Sequence, residues 1–81
     1  YLIPIIENGI VVFIGNKDNY GKTVIIEQVD GVNVWYGNVD NINVSLYDYV
    51  SKGEFLAEAS KSFYMVFQKN GKFLKYQDYL K

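Results

Sequence analysis

The sequence predicts an all-β domain, and three observations carry that prediction. Valine, isoleucine, tyrosine and phenylalanine dominate it, and these side chains fit a pleated, half-buried surface. Glycines fall at positions 9, 15, 21, 31, 37, 53 and 71, a spacing that punctuates short strands. Asp30-Gly31 and Asn70-Gly71 are both two-residue hairpin signals, the second flanked by Lys69 and Lys72.

The elements follow in order. Glu7-Asn8-Gly9 is a hairpin-type turn signal, and the apolar run Ile10 to Ile14 after it reads as a strand buried on both faces. Asn16 to Gly21 is a polar loop. Thr23 to Val29 is the next strand, and Asn33 to Tyr36 returns from the Asp30-Gly31 turn. Val39 to Val44 reads as a connector, with turn-prone Asp40, Asn41 and Asn43. Phe55-Leu56-Ala57 is a short strand. Phe63 to Gln68 alternates as a strand, and Phe73-Leu74 continues it past the Asn-Gly turn. Tyr76 to Leu80 closes as one helical turn, and the helical leaning of Ala57 to Lys61 is too short to form an element. The 81 residues make one small domain, 1–81, without internal repeat or linker.

Composition excludes several functions. There is no cysteine, hence no disulfide framework and no thiolate metal site. There is no histidine, which removes the commonest general base, the commonest zinc ligand and every Ser-His or Cys-His pair. The net charge of −1 and the absence of arginine argue against a nucleic-acid partner. No window approaches the roughly 18 apolar residues of a membrane span. The chain opens at Tyr1 without Met, which suggests a domain excised from a longer protein.

An ordered set of motifs then narrows the class. Gly9-Ile10-Val11 is followed by Tyr20-Gly21-Lys22-Thr23-Val24-Ile25-Ile26, Asp30-Gly31 and Trp35-Tyr36-Gly37-Asn38-Val39. Val44, Val50 and Gly53 come next, then the strand before Lys69-Asn70-Gly71-Lys72. The set resembles the lysostaphin-type (LytM) zinc endopeptidase domain, which cuts peptide bridges in bacterial cell walls. The resemblance implies a small antiparallel sheet curled into a barrel-like sandwich.

Departures from the family pattern carry the functional reading. The His after the family's Y-G strand falls on Gln28, and that of its Y-x-H-L motif on Asn38. The two His of H-L-H fall on Ser62 and Tyr64, and the Glu that follows falls on Val66. The Gly-rich loop before H-L-H is shortened to Ala59-Ser60-Lys61, and the upstream His-x-x-x-Asp pair would lie before Tyr1. A catalytic zinc needs three protein ligands and an open position for water. Neutral oxygen donors hold Zn²⁺ weakly beside imidazole or carboxylate. The resemblance therefore implies a pseudo-peptidase with no catalytic residues, no metal and no cofactor.

Val34-Trp35-Tyr36-Gly37-Asn38-Val39 followed by Val44-Ser45-Leu46-Tyr47-Asp48-Tyr49-Val50-Ser51-Lys52-Gly53 is similar to the stage IV sporulation protein FA branch. That similarity implies a membrane-anchored protein, held by a segment upstream of Tyr1, whose domain lies on the outer side of a membrane, in the intermembrane space of the forespore. Its partners would be an intramembrane metalloprotease and its regulators. A peptidoglycan-binding module is the alternative, with Trp35, Tyr36 and Tyr64 as stacking groups and the lapsed-cleft positions as its site.

Simpler assignments stand beside these. Trp35 and Tyr36 are adjacent on a strand, so one is expected in the core and one on the surface. Tyr64 either plugs the old site or contacts a partner. Glu27 faces solvent on its strand, and Asp30 makes the hairpin. Asp40, Asn41 and Asn43 lack the spacing and terminal Glu of a calcium loop and serve the turn. The scattered lysines read as solubility charges. Val50-x-x-Gly53-x-x-Leu56 is a hairpin shared with biotinyl and lipoyl carriers, but Met65 sits in a strand without an adjacent lysine.

Overall fold

The computed structural model describes residues 1–75. Among them every element is a strand: β1 (Leu2–Pro4), β2 (Gly9–Lys17), β3 (Gly21–Gln28), β4 (Asn33–Gly37), β5 (Tyr49–Val50), β6 (Phe55–Glu58), β7 (Tyr64–Lys69) and β8 (Lys72–Leu74). The all-β class is as predicted. The helical turn predicted over Tyr76 to Leu80 lies outside the described residues.

Six strands form one antiparallel sheet in the order β5-β2-β3-β4-β7-β8, and β1 pairs with β6 in a separate two-stranded sheet. The two-residue hairpin signals explain two of the ladders. Asp30 Oδ1 accepts the Val32 N–H at 3.0 Å and Gly31 takes φ +85°, which turns β3 into β4. Asn70 and Gly71 both sit at positive φ, 53° and 78°, as a primed turn requires, and β7 returns as β8. The β2–β3 ladder closes across Lys17 and Gly21.

Two expected hairpins are not hairpins. Glu7-Asn8-Gly9 links β1 to β2, but β1 pairs with β6 and β2 with β3 and β5, so the segment passes from one sheet to the other. The arms of Val50-x-x-Gly53-x-x-Leu56 diverge in the same way: β5 joins β2, and β6 joins β1. Turn chemistry was visible locally, whereas each strand's partner depends on burial elsewhere.

The two sheets enclose the core. From the small sheet come Ile3, Leu56 and Ala57; from the inner face of the large one come Val11, Val24, Ile26, Val34, Tyr36 and Phe67. Burying a side chain of this size contributes roughly 1.5–3 kcal/mol. The Tyr36 hydroxyl, deep in this core, accepts the Ile6 N–H at 3.2 Å and so ties β4 to the segment between the sheets. Asp40 pairs with Glu58, and Asn43 bonds Phe55 and Leu56 through side chain and backbone, which fixes the 39–44 connector against β6.

The strand buried on both faces is β3, not the Ile10 to Ile14 run. Ile10 and Val12 are 43% and 37% exposed, whereas Thr23, Val24, Ile25 and Ile26 are all buried. The register slips at Val12, where β2 carries a bulge, and the outer face of β2 is only partly covered. The central β3 is flanked by long strands on both sides, so side chains from its neighbours close over it.

Candidate functional site

Register determines which side chains share the outer face, away from the small sheet. Gly15, Thr23, Gly37 and Tyr64 lie opposite one another across β2, β3, β4 and β7. The next row is Phe13, Ile25, Trp35 and Val66. Directly paired residues project to the same side of a sheet. The outer face is therefore built from these two rows and their neighbours.

Tyr20, from the β2–β3 turn, folds back over the first row. A Cβ on Gly37 would lie 3.0 Å from the Tyr20 Cβ and 3.4 Å from that of Tyr64, so the absence of a side chain at Gly37 makes room for both rings. The rings then run in edge-on contacts. Tyr64 and Tyr20 have centroids 5.7 Å apart, Tyr20 and Trp35 5.8 Å, and Trp35 and Phe73 6.2 Å. Lys17 places its ammonium 4.5 Å from the Phe13 centroid and 5.2 Å from that of Trp35. Thr23 and Ile25 lie buried on this side, although among the described residues no second sheet packs over it.

The β4 end of the face holds the positions where the family resemblance places ligands. Asn38 follows β4 in the left-handed region, φ +61°, and its Nδ2 donates to the Ser62 carbonyl oxygen at 2.9 Å. Tyr64 begins β7, in register with Gly37. Asn38, Ser62 and Tyr64 thus share one corner. Val66 lies two residues further along the same face, beside Trp35.

Gln28 does not belong to this corner. Its strand pairs Thr23 with Gly37, and Gln28 stands five residues beyond Thr23, roughly 16 Å along the strand. There it is buried beside the hairpin, and its Nε2 donates to Asp30 at 3.1 Å. Tyr36 leaves the site too: it is 1% exposed, on the core face. Trp35 stays on the outer face, so the adjacent pair divides as expected between surface and core.

Sequence reasoning missed Tyr20, Phe13, Phe73 and Lys17. The signal for Tyr20 was Gly37, small where a strand residue would otherwise carry a side chain. Lys17 read as a solubility charge because nothing along the chain marks it as folding back over Phe13, four residues earlier.

The donors at the corner do not fit Zn²⁺. The Asn38 amide nitrogen is committed as a hydrogen-bond donor, Tyr64 offers a phenol packed against Tyr20, and Ser62 offers a neutral hydroxyl. Among the described residues no group of three His, Cys, Asp or Glu side chains is placed to hold a metal ion. No helix among them is long and apolar enough to cross a membrane.

The architecture has known counterparts. The catalytic domain of lysostaphin from Staphylococcus simulans matches with a TM-score of 0.80 at 20% identity, covering 98% of this chain and 69% of that one. The structure of cbpa from L. salivarius REN matches at 0.81 with 15% identity, covering 96% and 63%. A mutant catalytic domain of the prophage-encoded M23 protein EnpA from Enterococcus faecalis matches at 0.76 with 20% identity, covering 91% and 65%. Against a solution structure of lysostaphin the chain spans 33% of that protein's length. A comparison with curated proteins gave no match. These likenesses establish the lysostaphin-type fold. The model of peptidase family M23 matches residues 3–78, nearly the whole chain, and the chain belongs to that family.

Proposed function

We propose that this M23 domain is a pseudo-peptidase that works by binding a partner. The observation that carries the proposal is the Asn38–Ser62–Tyr64 corner, where an amide-to-carbonyl bond and a phenol in edge-on contact with Tyr20 stand at the positions the resemblance matches to histidines. Hydrolysis by metal-activated water needs imidazole or carboxylate donors there. An aromatic, partly exposed face is instead suited to contact, since large rigid rings supply area at low entropic cost.

The partner we propose is a sporulation membrane complex on the outer side of a membrane, in the intermembrane space of the forespore. There the domain inhibits or tethers an intramembrane metalloprotease. The support is the Trp35-Tyr36-Gly37-Asn38-Val39 and Val44 to Gly53 pattern, similar to the stage IV sporulation protein FA branch. The test is photocrosslinking in the native cells. Tyr64, 49% exposed at the corner, is replaced in the full-length protein by a benzophenone amino acid, and adducts are identified by mass spectrometry. A membrane-protein adduct is the expected result. A glycan or stem-peptide adduct would overturn it.

One observation favours a second reading, a peptidoglycan-binding module. The run of rings from Tyr64 through Tyr20 and Trp35 to Phe73 resembles a stacking strip. Co-sedimentation with purified peptidoglycan that disappears in Tyr64→Ala would establish it.

A further inference from the structure

Lys17 is held unusually for a surface cation. Its ammonium rests on the faces of Phe13 and Trp35, and among the described residues no carboxylate pairs with it. Asp18, next in the chain, lies exposed in the turn and forms no ion pair with it. Glu27, on the same face, stands two residues along β3 from Ile25, the register partner of Phe13 and Trp35, and makes no ion pair with Lys17. The rings stabilise the charge but accept no N–H···O hydrogen bonds. An ammonium has three donors, and among the described residues none of them meets a hydrogen-bond acceptor above this aromatic floor.

Around this cation the face is aromatic, with Glu27, Asn33 and Gln68 in the next row. Trp35 is half-buried beneath it, with Tyr64 and Phe73 on either side, 49% and 66% exposed. A ligand that fits brings one acceptor with a negative charge to Lys17 and apolar groups to the flanking rings. A carboxylate there gains a charge-assisted hydrogen bond in surroundings less screened than open water. A cationic ligand would meet Lys17 head-on.

We infer that the outer face docks an acidic, apolar segment of a partner protein, with one Asp or Glu carboxylate on Lys17 and neighbouring apolar side chains against Trp35, Tyr64 and Phe73. This rests on the partner-binding reading above and assigns the chemistry the partner presents. Lys17 is the specificity-determining residue, and the aromatic strip provides the area.

The test uses the sole tryptophan, Trp35, as reporter. The 81-residue chain is titrated with three acetylated, amidated pentapeptides alternating leucine with glutamate, glutamine or lysine. The glutamate peptide shifts Trp35 emission saturably and binds at least about fivefold tighter than the glutamine peptide, with affinity falling as salt rises. Lys17→Met, which keeps an unbranched apolar stem, abolishes the preference; Lys17→Arg keeps it; Lys52→Met, in the exposed β5–β6 turn, leaves it unchanged. Circular dichroism checks that each variant folds. Equal or tighter binding of the lysine peptide, no saturable shift with any peptide, or an undiminished preference in Lys17→Met overturns the assignment. A membrane-protein adduct at Tyr64 alongside such a failure would leave the partner-binding reading standing and remove only the acidic segment. A glycan adduct would remove both.

Discussion

The side chain of Asn38 spans 24 positions in sequence to donate to the Ser62 carbonyl at 2.9 Å, while its own backbone sits at φ +61°. Asparagine suits both demands, because it visits the left-handed region more readily than other residues and carries an amide donor. The bond joins the end of β4 to the segment entering β7 and so fixes the corner where Tyr64 begins. The Asn38 side chain is thus a structural clasp between β4 and the segment entering β7.

The clasp can be separated into its two contributions. Asn38→Gly keeps the backbone freedom and loses the hydrogen bond, costing about 1 kcal/mol. Asn38→Ala loses the bond and also places a Cβ in the left-handed region, costing about 1–2 kcal/mol more. Urea unfolding of both variants should rank glycine above alanine. Equal stabilities would mean that the strained backbone contributes nothing.

Tyr36 makes a comparable tie inside the core. Tyr36→Phe preserves the ring but removes the acceptor for the Ile6 N–H, at 3.2 Å. A part-buried amide left without its partner costs about 1–3 kcal/mol. A loss in that range, with the denaturant slope unchanged, is the expected result of urea unfolding. A loss near zero would mean that water replaces the hydroxyl.

These two residues also show what was legible in the sequence. Asp30-Gly31 and Asn70-Gly71 were readable because a two-residue turn is specified by its own side chains. The division of Trp35 and Tyr36 was readable from strand alternation, although not which residue faces which way. The misplacement of Gln28 was avoidable. Counting outward from the Asp30-Gly31 turn sets Glu27 against Asn33 and Thr23 against Gly37, so the cleft corner had to lie at the far end of β3. The aromatic strip was not readable. Tyr20 reaches Gly37 only because the turn folds back over the sheet, and Phe73 reaches Trp35 across the intervening β7.

Gly37 tests the packing of that strip. Gly37→Ala places a methyl 3.0 Å from the Tyr20 Cβ and 3.1 Å from its backbone oxygen, so Tyr20 must move. Overpacking of this kind costs roughly 1–3 kcal/mol. Displacing Tyr20 also removes its edge contact with Trp35, so the emission of the sole tryptophan should change with the loss of stability. A stability loss with unaltered emission would mean that Tyr64 yields instead.

Zinc gives the sharpest separation between a lapsed site and a disguised one. Titrated against a chromogenic chelator, the chain should take no stoichiometric Zn²⁺, because an amide, a hydroxyl and a phenol compete poorly with nitrogen and carboxylate donors. The triple variant Asn38→His, Ser62→His and Tyr64→His tests the same corner in reverse. Asn38 already bonds the Ser62 backbone, and Tyr64 begins β7 in register with Gly37, so three imidazoles would stand at one corner. Histidine also tolerates the positive φ at position 38 better than most residues. The variant should withdraw zinc from the chelator at one equivalent, with affinity falling below about pH 6.5 as the imidazoles protonate. One equivalent bound by the unaltered chain would overturn the pseudo-peptidase proposal. No binding by the triple variant would mean that the corner has departed from ligand geometry as well as from ligand chemistry.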